Sequence, residues 1–331
     1  MRQDYAYKLD QCDVPQDRRS ELQRFRAKRA EWLSWLETDE HHAIWSTLHS
    51  MVWADVAFKT LTGLAIDNEE NALNNSLVME AMLNGHVATQ VLGIRRLMDR
   101  GRGNISLRRL IIEVGSCFEL FTRENYVCFD GDPYDYQTVR DARIRQLLRE
   151  DGKPGFHAGW VPFSGPEGDG ASELAHMQFD RLAGIDPAKR TRQDRLPRRL
   201  LKTIEKWLVD SDADDLAEWS HRYLAHGGDR LSRQEIAHLN VTANKITEAI
   251  KGLSRATEGM AMLLFAGGRS GALMPTAQFN QFEKLDKPIM RERNRQSGHG
   301  RWHSLSTVWD RCLDGVEGDL VSQPQSDEAQ T

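Results

Sequence analysis

Apolar residues along this chain recur at helical spacing. From Ser20 to about Glu37, Leu22, Phe25, Leu33 and Leu36 stand among charges, and Trp32 and Trp35 widen the same face. A second run contains Ile44, Trp45, Leu48, Met51, Val52, Val56, Leu61 and Leu64, and Thr38 or Asp39 is placed to cap it. Such stripes predict helices that pack on one another, because positions three and four apart share a face. Their aromatic side chains read as core. A third helix is predicted from about Leu73 to Met98 and is broken by Gly101-Arg102-Gly103-Asn104. Ser106 then caps a fourth, through Leu107, Leu110, Ile111, Val114, Phe118 and Phe121. Long helices joined by a short turn are expected to lie antiparallel.

The pattern changes over residues 125–170. Phe129-Asp130-Gly131-Asp132-Pro133-Tyr134-Asp135 and Gly165-Pro166-Glu167-Gly168-Asp169-Gly170 are turn-rich and flank one short helix near Thr138–Glu150. This reads as an insertion lying over the bundle. Asp130, Asp132 and Asp135 lack the closing glutamate of a calcium loop and read as a plain turn. Helices resume over 171–183 and 198–210. The basic run Lys189–Arg199 between them reads as a solvated connector, with phosphate contact as the functional alternative. A helix over about Asp214–Ala225 stops at Gly227-Gly228. Ser232-Arg233-Gln234-Glu235 has the form of a capping box and is expected to open the longest helix, ending near Phe265.

The organisation predicted is a flexible N-terminus over 1–19, a helical bundle over 20–265, a C-terminal extension over 266–322 and a disordered tail over 323–331. The extension is expected to be irregular, with one helix around Leu305–Leu313. With no strand alternation and no internal repeat, the fold class is all-α, an antiparallel helical bundle.

Composition narrows the function classes. The 331 residues are 40% hydrophobic, enough to bury a sizeable core. No run of about 18 apolar residues is present, and Met1-Arg2-Gln3-Asp4-Tyr5 lacks a signal-peptide stretch, so a cytoplasmic protein without a membrane span is expected. Cys12, Cys117, Cys128 and Cys312 are widely separated and read as free thiols. The net charge of -5 does not announce nucleic-acid binding, although a local basic face is compatible with it. There is no GxxxxGK[ST], HExxH or GxSxG motif, and no cofactor or metal is expected. His299 and His303 share a helical face but have no evident third ligand, and the adjacent His41 and His42 point apart.

One segment concentrates chemistry: Trp219-Ser220-His221-Arg222-Tyr223-Leu224-Ala225-His226-Gly227-Gly228-Asp229. Helical spacing puts Arg222 and His226 on one face, with His221 off it. Cleaving RNA needs a base for the 2′-hydroxyl and an acid for the leaving oxygen, and histidine serves either role near neutral pH. A guanidinium binds phosphate bidentately and stabilises its growing charge. The structural alternative pairs Arg222 with Glu218 and sets His226 at the helix C-terminus, where the dipole favours a cation.

This segment resembles the signature of HEPN-type helical domains, especially the AbiU2-like branch associated with abortive phage infection. In that signature an arginine and a polar residue precede a histidine. Arg222-Tyr223-Leu224-Ala225-His226, followed by Asp229, is similar to its later part. Ile94-Arg95-Arg96-Leu97-Met98-Asp99-Arg100 and Ser106-Leu107-Arg108-Arg109-Leu110 also resemble a stretch of the AbiU2-like proteins, so the likeness spans roughly 30–265. The chain departs from it at one point: only three residues separate Arg222 from His226, and Ser220 stands where an arginine is expected. The resemblance implies a homodimer whose motif helices meet at a shared site that cleaves or binds RNA, in phage defence or as a toxin. His226 would be the acid/base and Arg222 the phosphate clamp, with His221 and Tyr223 secondary. Arg95, Arg96, Arg108 and Arg109 would add phosphate contacts. Two alternatives stay open: a non-catalytic scaffold with a degenerate motif, and a small-molecule or nucleotide sensor with the 125–170 insertion as its lid. A nuclease requires Arg222 and His226 exposed in a basic groove, a scaffold requires both buried in satisfied pairs, and a sensor requires an enclosed pocket beneath the insertion.

Overall fold

The computed structural model describes residues 5–67, 72–74, 76–150, 162–225, 241–265, 272–283 and 295–321. Among these the secondary structure is helical, apart from an isolated bridge between Thr122 and Arg195. In chain order the helices are α1 (Arg19–Leu33), α2 (Ile44–Asp67), α3 (Ser76–Met98), α4 (Leu107–Ser116), α5 (Arg123–Cys128) and α6 (Tyr136–Glu150). They continue with α7 (Gly170–Ala183), α8 (Arg199–Asp210), α9 (Ala213–Ser220), α10 (Ala243–Leu264), α11 (Arg295–Arg311) and α12 (Val316–Val321). None is long and apolar enough to cross a membrane among the described residues.

The centre of the fold is α10, which packs against α1, α2, α3, α4, α8, α9 and α12. It is buried on almost every side, from Ile246 and Ile250 to Met260 and Leu264. Small residues let α8 approach it closely. A Cβ on Gly252 would lie 2.3 Å from Ser211 Oγ and 2.8 Å from the Trp207 carbonyl oxygen. Thr242 caps α10 by accepting a 3.2 Å hydrogen bond from the Lys245 N–H. Because Thr242 has extended backbone, the helix expected to run unbroken from Ser232 starts afresh at Ala243. Residues 232–240 lie outside the described residues.

The expected cap of α4 holds for its expected reason. Ser106 Oγ accepts the Arg109 N–H at 3.0 Å, as the cap of α4. α7 ends at Gly184, whose φ of 70° supplies the left-handed turn. At the start of α2 the outcome differs: Asp39 Oδ1 accepts the N–H groups of His41 (3.1 Å) and His42 (2.6 Å), which makes a separate turn and delays the helix to Ile44. All four cysteines are free thiols.

Three regions expected at the periphery are integrated into the core. Residues 5–18, expected to be flexible, are fastened down: Tyr5 Oη donates to the Arg26 carbonyl oxygen at 2.8 Å, and Cys12 and Val14 are buried. The beginning of the expected insertion is interior, because every residue of α5 is buried. The loop acids beyond it accept backbone N–H groups: Asp130 from Tyr7 (3.1 Å), Asp132 from Gly165 (2.6 Å) and Asp135 from Thr138 (3.0 Å). The C-terminal extension carries α11 and α12, and it seats Trp309, Val316 and Leu320 in the core. The tail over 322–331 lies outside the described residues.

The basic run Lys189–Arg199 is solvated in part, with Lys189, Arg195 and Arg198 exposed, while its other arginines are committed to the fold. Arg190 pairs with Asp180 at 2.8 Å, and Arg192 pairs with Glu124 at 2.8 Å and Asp13 at 3.0 Å. Arg199 donates to the carbonyl oxygens of Val321 (3.1 Å) and Leu182 (3.3 Å). Asp194, in the middle of the run, accepts from Arg123 at 2.8 Å. The run is a strap whose charges tie α5, α7, α12 and the N-terminal segment together.

Candidate functional site

α9 starts sharply after α8. Asp212 takes a φ of 55°, a left-handed conformation that aspartate tolerates better than most residues, and Asp214 and Asp215 occupy the first turn, where the helix dipole favours acids. Asp214 accepts from Arg108 and from Arg100, the latter at 3.3 Å. Arg100 follows the C-terminus of α3, so the start of α9 is pinned to the end of α3 and the two helices run antiparallel, packed side by side.

The segment His221–Ala225 continues α9 as a π-turn. Such wide turns are rare and occur often at functional sites. Immediately before it, Ser220 is fully buried, and its Oγ has no hydrogen-bond partner among the described residues. The position that the HEPN-like signature reserves for an arginine therefore faces the interior. A guanidinium there would be desolvated inside the bundle, away from any substrate.

The residues around Ser220 face outward. His221 is exposed and Tyr223 is 37% exposed. The Tyr223 ring stacks on Trp219, with centroids 4.9 Å apart and planes inclined by 16°. Arg222 Nε donates to Glu218 Oε1 at 2.6 Å, the pairing that the structural alternative anticipates. This pair is open to water, with side chains 25% and 46% exposed, so it satisfies neither the basic-groove expectation nor the buried-pair expectation. His226 and Asp229, on which the catalytic reading leans, lie outside the described residues.

The four other predicted arginines do not gather around Arg222. Arg108 is buried and held by Asp214, at the opposite end of α9. Eight residues at about 1.5 Å each put Arg222 roughly 12 Å further along the helix. Arg109 donates to the Asn104 carbonyl oxygen at 2.9 Å and lies 4.2 Å over the Trp35 ring. Arg96 bonds to His42 Nδ1 at 2.6 Å and to the His41 carbonyl oxygen at 3.3 Å. Arg95 is half-buried in the last turn of α3. Arg108 and Arg109 thus hold helix ends and an indole face, where phosphate contacts or a solvated surface were expected.

Two buried polar clusters were not anticipated from the sequence. In the first, Lys59 Nζ bridges Asp55 (2.6 Å) and Thr247 Oγ1 (2.7 Å), joining α2 to α10. His86 Nε2 lies 3.7 Å from Asp55, with its ring stacked on Phe58 at 4.2 Å. Burial lowers the His86 pKa, partly opposed by the Asp55 charge. The second cluster surrounds Arg123, which is fully buried and pairs with Asp180 at 2.7 Å and Asp194 at 2.8 Å. His176 Nε2 faces the Tyr134 carbonyl oxygen at 2.9 Å, and burial lowers its pKa to about 4. Asp132 is pushed up to about 6, chiefly by burial. Both clusters tie helices together through ion pairs, the first reaching the surface at Lys59, whose side chain is 30% exposed. Among the described residues no group of three or more acidic, histidine or cysteine side chains is arranged to hold a metal ion.

The C-terminal end of α9 and its π-turn carry an aromatic stack, an exposed histidine and a half-buried arginine. No family model, curated protein or solved structure matches the chain.

Proposed function

We propose that the protein is a HEPN-like helical module that binds single-stranded RNA at the exposed end of α9. The observation that carries this reading is the Trp219–Tyr223 stack beside Arg222. Proteins that take single strands combine aromatic rings, on which unpaired bases stack, with cations that follow the phosphates. Tyr223 presents the outer ring of a stack already ordered by Trp219. The Arg222–Glu218 pair is solvent-exposed, and such pairs are worth about 0–1 kcal/mol, little enough to exchange for a phosphate. His221 adds an exposed donor next to them.

Binding is favoured over cleavage because the arginine position of the signature is filled by the buried Ser220. Cleavage is the second reading; the π-turn favours it by setting His221 and Arg222 in a geometry often found at active sites. In that case a second copy of the chain would supply a second His226 and Arg222. The resemblance to abortive-infection proteins supports reading either activity as phage defence or as that of a toxin.

The test uses the full chain with a fluorescent single-stranded RNA in a binding and cleavage assay. Binding is expected without cleavage. Tyr223→Ala is expected to weaken binding by about 1–3 kcal/mol, the worth of one base stack. Arg222→Ala is expected to reduce the salt slope by about 0.7, as for one lost phosphate contact on a single strand. RNA cleavage that disappears in a folded His226→Ala variant would transfer the assignment to the nuclease reading. Failure to bind RNA at low salt would remove both.

A further inference from the structure

A separate cavity shares none of its lining residues with the RNA reading of α9. It has a volume of about 960 Å³ and lies between α8, α10, α11 and α12. That is within the usual range for small-ligand sites, about 300–1,000 Å³. Its wall is built at close quarters, because Gly252 brings α10 against the Ser211 side chain and the Trp207 carbonyl at the end of α8.

Four cations and three carboxylates line it, and most of them cancel. Lys251 pairs with Glu248 at 2.9 Å, and Arg255 pairs with Asp319. Lys206 on α8 and Arg311 at the end of α11 are left, and neither makes an ion pair among the described residues. Asp210 lies one turn from Lys206 on α8, also without such a pair. Trp207 supplies a half-buried aromatic wall, with the Arg255 guanidinium 5.0 Å from its ring centroid. Thr203, which also lines the cavity, is 4% exposed, and its Oγ1 has no hydrogen-bond partner among the described residues. A buried hydroxyl without a partner is costly and points to a missing one.

We propose that this cavity binds a phosphorylated, hydroxyl-rich small molecule of the sugar-phosphate class. Lys206 and Arg311 meet the phosphate dianion, which two cations without an ion pair among the described residues suit. Asp210 is an acceptor for sugar hydroxyls, where a second anion would be repelled. The indole face of Trp207 packs against the flat side of the ring, and the Thr203 hydroxyl gains a partner. Cys312, at the same wall, takes no part: burial raises its thiol pKa to about 12, so it stays protonated at neutral pH.

Calorimetric titration of the full chain with glucose 6-phosphate and ribose 5-phosphate tests this, with glucose and inorganic phosphate as controls. Saturable binding of at least one sugar phosphate is expected, at least about tenfold tighter than either control, a difference of about 1.4 kcal/mol. The double variant Lys206→Ala/Arg311→Ala is expected to lose that binding. Both side chains are exposed, so the variant is expected to keep the wild-type circular dichroism spectrum. Asp210→Asn is expected to narrow the gap between sugar phosphate and inorganic phosphate. Equal binding of inorganic phosphate would overturn the sugar part and mark the cavity as a general anion site. No saturable binding, or binding unchanged in the double variant, would overturn the proposal. None of these outcomes touches the RNA reading of α9, because the cavity shares no residue with it.

Discussion

Arg123 and Arg222 are the same residue type with the same kind of partner, and they do opposite work. Arg123 is fully buried, with Asp180 at 2.7 Å and Asp194 at 2.8 Å, and its guanidinium lies 4.5 Å from the Phe179 ring centroid. Arg222 pairs with Glu218 on its own helix, and both are reached by water. Desolvation makes the difference. Removing one partner from a buried ionic cluster leaves charge stranded in a poorly polarisable interior, whereas water replaces either partner of an exposed pair at little cost. An arginine committed to the fold is thereby distinguished from one available to a ligand, although both form short ion pairs.

That contrast breaks most visibly if Arg123 is truncated. Arg123→Ala removes the buried cation that Asp180 and Asp194 share, leaving Asp180 with Arg190 and Asp194 with Thr191, and a loss of about 3–5 kcal/mol is expected in chemical denaturation. A loss under about 1 kcal/mol would mean that Arg123 is no more structural than Arg222.

A smaller effect comes from pH, through His176 beside that hub and Asp132 in the neighbouring loop. His176 is held near 4 when folded, below the usual histidine value, so the unfolded chain binds more protons between about 4 and 6.5. Stability from this group is therefore lost as pH falls through that window. Asp132 acts in reverse: at about 6 when folded, it holds a proton that the unfolded chain releases, so its contribution grows as pH falls from about 6 to 4. Each shift is worth on the order of 3 kcal/mol, so the two largely offset. Asp132→Asn is expected to remove the opposing effect and make the melting temperature drop steeply between pH 6.5 and 4. A flat profile in that variant would show that His176 is not held neutral by burial.

The smallest effect sharpens the comparison from the other side. Arg222→Ala is expected to change stability by no more than about 0.5 kcal/mol, measured by the same denaturation curve. A loss of several kcal/mol would make the α9 pair structural and take away the cation on which RNA contact depends.

The helical periodicity was a reliable guide where one face of a helix meets the core. The Ser106 cap, the end of α3 at Met98 and the spans of α7 and α8 all follow from local spacing and capping chemistry. The Arg222–Glu218 pair was also legible, because it needs only two positions one turn apart. The Arg123 hub was not. Its acids stand 57 and 71 positions away, and charged residues in a loop-rich stretch carry the pattern of solvated surface until the chain folds them inward. The sugar-phosphate cavity escaped notice for the same reason, since four helices distant in sequence line it.

What the sequence determined by itself is the all-α character of the chain and the local grouping of aromatic, basic and imidazole side chains at Trp219–His226, because helical phase and nearest-turn contacts depend on spacing alone. Tertiary packing decided which of those groups face water. It turned Ser220 inward where an arginine was expected, spent Arg108 on Asp214 and Arg109 on Trp35, and left Tyr223 and Arg222 at the surface. The reason is that burial and long-range pairing depend on which helices become neighbours, and spacing along one helix does not specify its neighbours.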